Sequence, residues 1–141
     1  MYHYYGAVLF NDQGEVLLRR PAQGEDRGSW TFAERQQDKF HTPEETALEA
    51  VVEQFGYHCR LLGTVPGTFA HAGDFTEFFY MTPAGEHQPF DPEKTDEIGW
   101  FSREAASARI GLGASIIRRQ RDLDVLASAV AEYEAKLARH W

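Results

Sequence analysis

The sequence is poor in cysteine, in positive charge and in long apolar runs, and each shortage closes off a class of protein. Cys59 is the only cysteine, which excludes an intrachain disulfide and leaves no C-x-x-C metal knuckle. A reducing compartment is compatible with this, and Cys59 reads as a small half-buried thiol rather than a nucleophile. The 14 Lys and Arg are outnumbered by 22 Asp and Glu, for a formal net charge of −8. Nonspecific binding to a nucleic-acid backbone needs clustered cations that displace counterions, so none is expected. No apolar run approaches membrane-spanning length, and MYHYYGAVLF lacks the basic, apolar and small-residue regions of a secretory signal. A protein without membrane association, cytoplasmic by default, is expected. Repeats, low-complexity tracts and linkers are missing too, so the 141 residues are expected to form one domain, 1–141.

The local patterns predict a strand at residues 4–10, a turn at 11–14 and a hairpin partner, VLLRR, at 16–20. A polar loop follows at 21–28, then a short strand at 30–32. The clearest signal is at Thr42: its hydroxyl can cap a helix, Pro43 suits the first helical position and Glu45 completes a capping box. Leu48, Val51, Val52 and Phe55 recur at helical spacing and Gly56 ends the run, so a helix is predicted over 43–55. Further strands are predicted at 60–65, 67–72 and 75–81, a loop at 84–94, a last strand at 96–102, and a short helix capped by Ser102 running through Ala108. Residues 114–140 read as one long or once-broken helix. Its seam of Leu123, Leu126, Val130, Tyr133 and Leu137 suits docking on its own sheet, or else a protein partner or homodimer. The whole predicts an α/β fold, a mixed sheet with helices on both faces.

Arg19, Arg20, Arg27, Arg35 and Lys39 concentrate positive charge in the first third of the chain, where they could serve a phosphate ligand or stand as scattered surface charges. His41, His58 and His71 lack ligand spacing for zinc. Trp30, Phe69, Phe78 and Tyr80 are candidates for a base-stacking pocket, against the commoner role of strand aromatics as core.

The segments YYGAVLFNDQGEVLLRR, GSWTF, the capped helix ending in FGY, and TDEIGWFSREA resemble the Nudix superfamily, and the resemblance covers nearly the whole chain. DKFHTPEETALEAV shadows the D-K-G-E-T-P-E-x-x-A-L-R-E-V of MutT-like, dinucleoside-polyphosphate-type members. The resemblance implies a Nudix-like α/β/α sandwich with an extended C-terminal helix (114–140), its box at residues 35–57. The family's box is G-x5-E-x7-R-E-U-x-E-E-x-G-U, with U a bulky apolar residue. Setting its last Gly on Gly56 places Arg35 at the first Gly, His41 at the first Glu, Glu49-Ala50 at Arg-Glu and Glu53-Gln54 at Glu-Glu. Ala33 and Glu34 stand where Pro and Gly usually precede the box.

In active members the box carboxylates hold Mg2+ or Mn2+ against a diphosphate, and hard cations demand such oxygen ligands. Here only Glu53 remains as a metal ligand, so a cofactor is expected only if residual hydrolase activity exists. Glu49 in place of Arg should remove the bridge that Arg makes in the family, and Arg35 in place of Gly should alter the loop. His41 is a candidate metal-free acid or base near Glu53. Glu77 and Glu97 fall where members often carry a further acid. The sequence thus marks Glu53, His41, Glu49 and Glu97 for catalysis, and Arg19, Arg35, Lys39, Trp30, Gln54, Glu77 and Tyr80 for ligand binding. Three functions remain open: a binding or interaction module for a nucleotide-like or other small ligand, a hydrolase of a nucleoside diphosphate linked to another moiety with an altered metal site, and a metal-independent biosynthetic enzyme.

Overall fold

A computed structural model describes residues 2–71 and 73–139. Along the chain run β1 (His3–Leu9), β2 (Val16–Pro21), β3 (Ala33–Gln36), α1 (Pro43–Phe55), β4 (Cys59–His71), β5 (Asp74–Pro83), β6 (Thr95–Phe101), α2 (Arg103–Ile110) and α3 (Ile116–Ala138). Four strands form a mixed sheet in the order β3-β1-β5-β4, with β1 and β5 parallel and the other neighbours antiparallel. A second sheet pairs β2 with β6.

Strand alternation explains why both faces need covering. On β1 and β5, Val8, Phe78 and Tyr80 point into a core shared with α2 and α3, while Ala7, Leu9, Phe79 and Met81 point into a core beneath α1. The result is a mixed sheet sandwiched between helices, as the sequence predicts. Among the described residues no helix is long and apolar enough to cross a membrane.

Several local expectations change. VLLRR does not return as the hairpin partner of β1: a single Phe10–Val16 bridge joins them, and β2 pairs with β6 instead. Both edges of β1 are already taken by β3 and β5. The short strand lies at Ala33–Gln36, after residues 30–32, of which only Thr31 makes a bridge, to Arg19. The two strands foreseen at 60–65 and 67–72 are one long strand, broken in register between Leu61 and Gly63 and again between Val65 and Phe69. Ala72 lies outside the described residues.

The capped helix forms as its signals dictate. Thr42 Oγ1 accepts from Glu45 N at 3.1 Å, Glu45 Oε1 accepts from Thr42 N at 2.9 Å, and Gly56 closes the helix in the left-handed region at φ 79°. The left-handed turn lets the chain reverse, and Gln88 N then donates to Gly56 O at 2.8 Å. The predicted 84–94 loop is thereby tied to the C-terminal end of α1.

Helix α2 runs two residues past Ala108, and α3 is unbroken from its Ser115 cap. His140 is outside the described residues. The buried stripe of α3 is Arg121, Asp122, Val125, Leu126 and Ala129, broader than the narrow seam read from the sequence, and Leu137 is exposed. A helix laid over the flat face of β4 and β5 buries a wider band than one lying against a single helix. Tyr133 stacks on Phe10 with ring centroids 4.2 Å apart, fixing α3 to the sheet.

Candidate functional site

Strand β3 organises the site because its side chains alternate. Ala33 packs under α1. Arg35, two residues on, therefore faces α1, while Glu34 between them faces α3. The two charged residues that stand in β3 and at the box's first position thus serve opposite faces of one sheet.

On the α1 face, Arg35 Nη1 lies 3.2 Å from Glu49 Oε2 and 3.8 Å from Glu53 Oε2. The expected loss of a bridge through Glu49 is therefore corrected: the charges have exchanged sides, with the cation now on β3 and the anion on the helix. His41 Nε2 lies 2.9 Å from the other oxygen of Glu49, and its Nδ1 lies 2.9 Å from both oxygens of Asp38. The hydrogen bond that His41 donates to Asp38 raises the His41 pKa above its ordinary value, with further help from the charges of Asp38, Glu49 and Glu45. Asp38 is held below the usual carboxylate range by the Phe40 N–H and by His41. With a carboxylate 2.9 Å from each ring nitrogen, His41 bridges the loop and α1; protonated at both nitrogens it has no lone pair for a base but holds a proton that an acid can give. Beside this cluster lies an open hollow of about 460 Å³ lined by Arg35, Leu48, Glu49, Val52, Glu53 and His58.

Ala50 is fully buried beneath the helix and Gln54 is almost so. Gln54 uses its whole side-chain amide on the backbone of one residue: Nε2 donates to Glu34 O at 2.9 Å and Oε1 accepts from Glu34 N at 3.3 Å. The Gln54 carbonyl in turn accepts from Thr95 Oγ1 at 2.8 Å, and Arg19 Nε donates to that same hydroxyl at 2.9 Å. Arg19 Nη2 also donates to Lys94 O at 2.8 Å. Burial lowers the Arg19 pKa to about 10, and its partners mark it as a brace between β2 and β6 rather than a ligand cation.

Mg2+ or Mn2+ is implied by the fold family, and the donor set here does not fit either ion. In the register that sets Gly56 on the box's last Gly, the four carboxylate positions hold His41 between two carboxylates, Ala50 in the core, Gln54 hydrogen-bonded to the Glu34 backbone, and Glu53 beside Arg35. No group of three or more His, Cys, Asp or Glu placed to hold a metal occurs among the described residues. A hard cation requires several oxygen ligands around one point.

On the opposite face, Glu34 enters a buried ion network that the sequence reading missed. Its carboxylate lies 3.0 Å from Arg118 Nη2 and 2.9 Å from Arg121 Nη1. Arg118 also reaches Asp26 at 2.8 Å, and Arg121 reaches Asp122 at 2.8 Å. Thr31 Oγ1 donates to Asp122 at 2.7 Å. Burial opposes the charge on Arg118, but Glu34, Asp122 and Asp26 together hold its pKa above the ordinary value. Alongside lies a hollow of about 300 Å³, with Tyr4, Glu34, Asp74, Thr76, Arg118 and Arg121 on its walls. The signal available in the sequence was that Arg121 and Asp122 sit four residues before Val125 and Leu126, on the stripe that must face the sheet.

The remaining candidates are dispersed. Glu97 pairs with Arg20 at 2.9 Å on the β2–β6 sheet. Trp30 is half-buried, with the Arg20 and Arg109 guanidinium groups 5.8 and 5.9 Å from its ring and Phe101 edge-on. Tyr80 is a core residue, 2% exposed, and so is not available as a stacking platform. Its inward position follows from the alternation of β5, which also leaves Glu77 exposed. Lys39 is exposed and lies over the Phe40 ring at 5.3 Å.

The architecture and the position of α1 define a Nudix-type α/β/α sandwich. The NUDIX domain profile matches residues 4–120, and the chain belongs to the Nudix superfamily. A NUDIX hydrolase from Nitrosomonas europaea superposes with a TM-score of 0.77 at 12% identity, covering 93% of this chain and 89% of that one. The E. coli ORF135 protein gives 0.68 at 20% identity over 96% and 92% of the two chains. Another Nitrosomonas europaea NUDIX hydrolase gives 0.65 at 16% identity, covering 73% of this chain and 58% of its own, little more than half its length. At these identities the likeness establishes the fold. Among curated proteins no significant match is found.

Proposed function

We propose that this Nudix-superfamily protein lacks ordinary metal-dependent pyrophosphohydrolase activity and acts as a binding module for a small polar ligand, nucleotide-like or other. One observation carries the reading: Gln54 and Ala50, at two of the box carboxylate positions, are committed to the Glu34 backbone and to the core. The box in this reading is degenerate, and the Glu49 and Glu53 carboxylates of its helix are engaged by Arg35 of β3 and His41 of the loop. Loss of one general base costs about 100- to 10,000-fold in rate, and residues acting as a unit do not add simply.

The ligand is assigned to the hollow beside Tyr4, Thr76, Arg118 and Arg121, because buried ion pairs fix its walls in advance. The test has two arms. Calorimetric titration of Mg2+ and Mn2+ into the parent protein should give no saturable heat, and ADP-ribose, a dinucleoside polyphosphate or an NTP should release no phosphate. AMP and ADP-ribose, added without metal, should raise the melting temperature of the parent and not of an Asp74→Trp variant that narrows the hollow from its half-buried rim. Appreciable Mg2+-dependent turnover at modest enzyme concentration would overturn the reading.

A further inference from the structure

Beyond the capping box of Thr42 and Glu45, His41 ties the segment between β3 and α1 to the helix. His41 lies between Asp38, in its own turn, and Glu49, on the helix, with a nitrogen 2.9 Å from each. Asp38 comes from the loop, Glu45 and Glu49 from α1, and Arg35 of β3 stands behind Glu49 and close enough to Asp38 to favour its ionised form. Three carboxylates thus surround one imidazole, and one guanidinium competes for one of them.

We propose that His41 is a proton-operated latch that ties residues 37–42 to α1 beside the Arg35–Glu49–Glu53 hollow. A doubly protonated imidazole donates from both nitrogens, so both contacts are attractive. The neutral ring donates from one nitrogen and presents a lone pair at the other, and a lone pair facing a carboxylate repels it. Asp38 is local, is oriented by the Phe40 N–H and offers both its oxygens. Its contact is the one kept. The contact to Glu49 is released, Glu49 keeps Arg35, and the turn around His41 is freed from α1.

The sign follows from the raised His41 pKa. The latch is fully closed below the ordinary histidine value of about 6.5 and opens as pH rises through the folded-state value above it. The device is independent of whether the hollow holds a ligand.

The experiment is a histidine-ring NMR titration of the full chain, with amide hydrogen exchange of residues 37–42 followed across the same range. The His41 ring should titrate above about 6.5. Glu49→Gln should lower its midpoint, and Asp38→Asn should lower it further. Protection of the 37–42 amides, corrected for intrinsic exchange, should fall several-fold through the His41 midpoint in the parent and stay flat in His41→Gln. These side chains are partly exposed, so the variants should fold, and unchanged near-ultraviolet dichroism would verify it. A His41 midpoint unmoved by Glu49→Gln, or loop protection that ignores the midpoint, would overturn the latch.

Discussion

The side-chain amide of Gln54 and the backbone of Glu34 form a two-point pair, with Nε2 donating to the carbonyl at 2.9 Å and Oε1 accepting from the N–H at 3.3 Å. The pair ties the box helix to β3, whose Glu34 side chain continues into the Arg118–Arg121 network. Gln54 is therefore a structural clip between α1 and β3.

Gln54→Ala should lose both hydrogen bonds and leave two partly buried backbone groups short of partners, a cost of about 1–3 kcal/mol. Gln54→Glu should be worse tolerated, because a carboxylate repels the Glu34 carbonyl. In an Ala50→Glu/Gln54→Glu variant, added Mg2+ should raise the melting temperature, whereas the parent should show no change. Differential scanning calorimetry with and without Mg2+ decides between the two outcomes.

Arg35 and Glu49 are both more than one-third exposed, so their pair is partly screened by solvent. A double-mutant cycle with Arg35→Ala and Glu49→Ala should return a coupling of about 0.2–1 kcal/mol, shrinking in high salt. Urea denaturation at low and high ionic strength measures it.

Arg121 and Asp122 are nearly inaccessible and 2.8 Å apart. Asp122→Ala removes the hydrogen bonds that the Arg121 guanidinium donates to it and leaves Glu34 as the remaining ion partner of Arg121, so it should cost about 1.5–3 kcal/mol. A combined replacement of both by apolar residues of similar volume should recover much of that loss. Chemical denaturation of the single and double variants reads the difference.

Burial pushes the Cys59 thiol up to about 12. The thiolate is the reactive form, so a thiol reagent should modify native protein very slowly at pH 8 and rapidly after denaturation. Fast modification of the folded chain would contradict the described packing.

Gly56 holds φ 79°, and an added Cβ would lie 2.0 Å from the Gln88 carbonyl oxygen. The left-handed backbone alone costs an L-residue about 1–2 kcal/mol. Gly56→Ala should therefore lower the melting temperature by at least about 3 °C, with the 84–94 loop displaced. Thermal denaturation followed by circular dichroism tests it.

The sequence by itself determined the elements whose signals are local. The capping box at Thr42, Pro43 and Glu45, the Gly56 stop and the Ser102 cap depend on residues within a few positions of one another, and all form as read. The Nudix fold was legible for the same reason, since its flanking motifs are short and contiguous.

Tertiary structure decided what depends on distant partners. Whether VLLRR paired with β1 or elsewhere rested on which edges of β1 other strands had occupied. The exchanged pair of Arg35 and Glu49 joins residues 14 apart in sequence, and Gln54 meets a backbone 20 positions away. The α3 arginines reach Glu34 and Asp26 across most of the chain's length. Helical and strand periodicity specifies which way a side chain points along its own element, but the group opposite it is set only when the layers pack. That Ala50, Glu53 and Gln54 share a helix was readable; their fates as core, ion-pair partner and backbone clip were not.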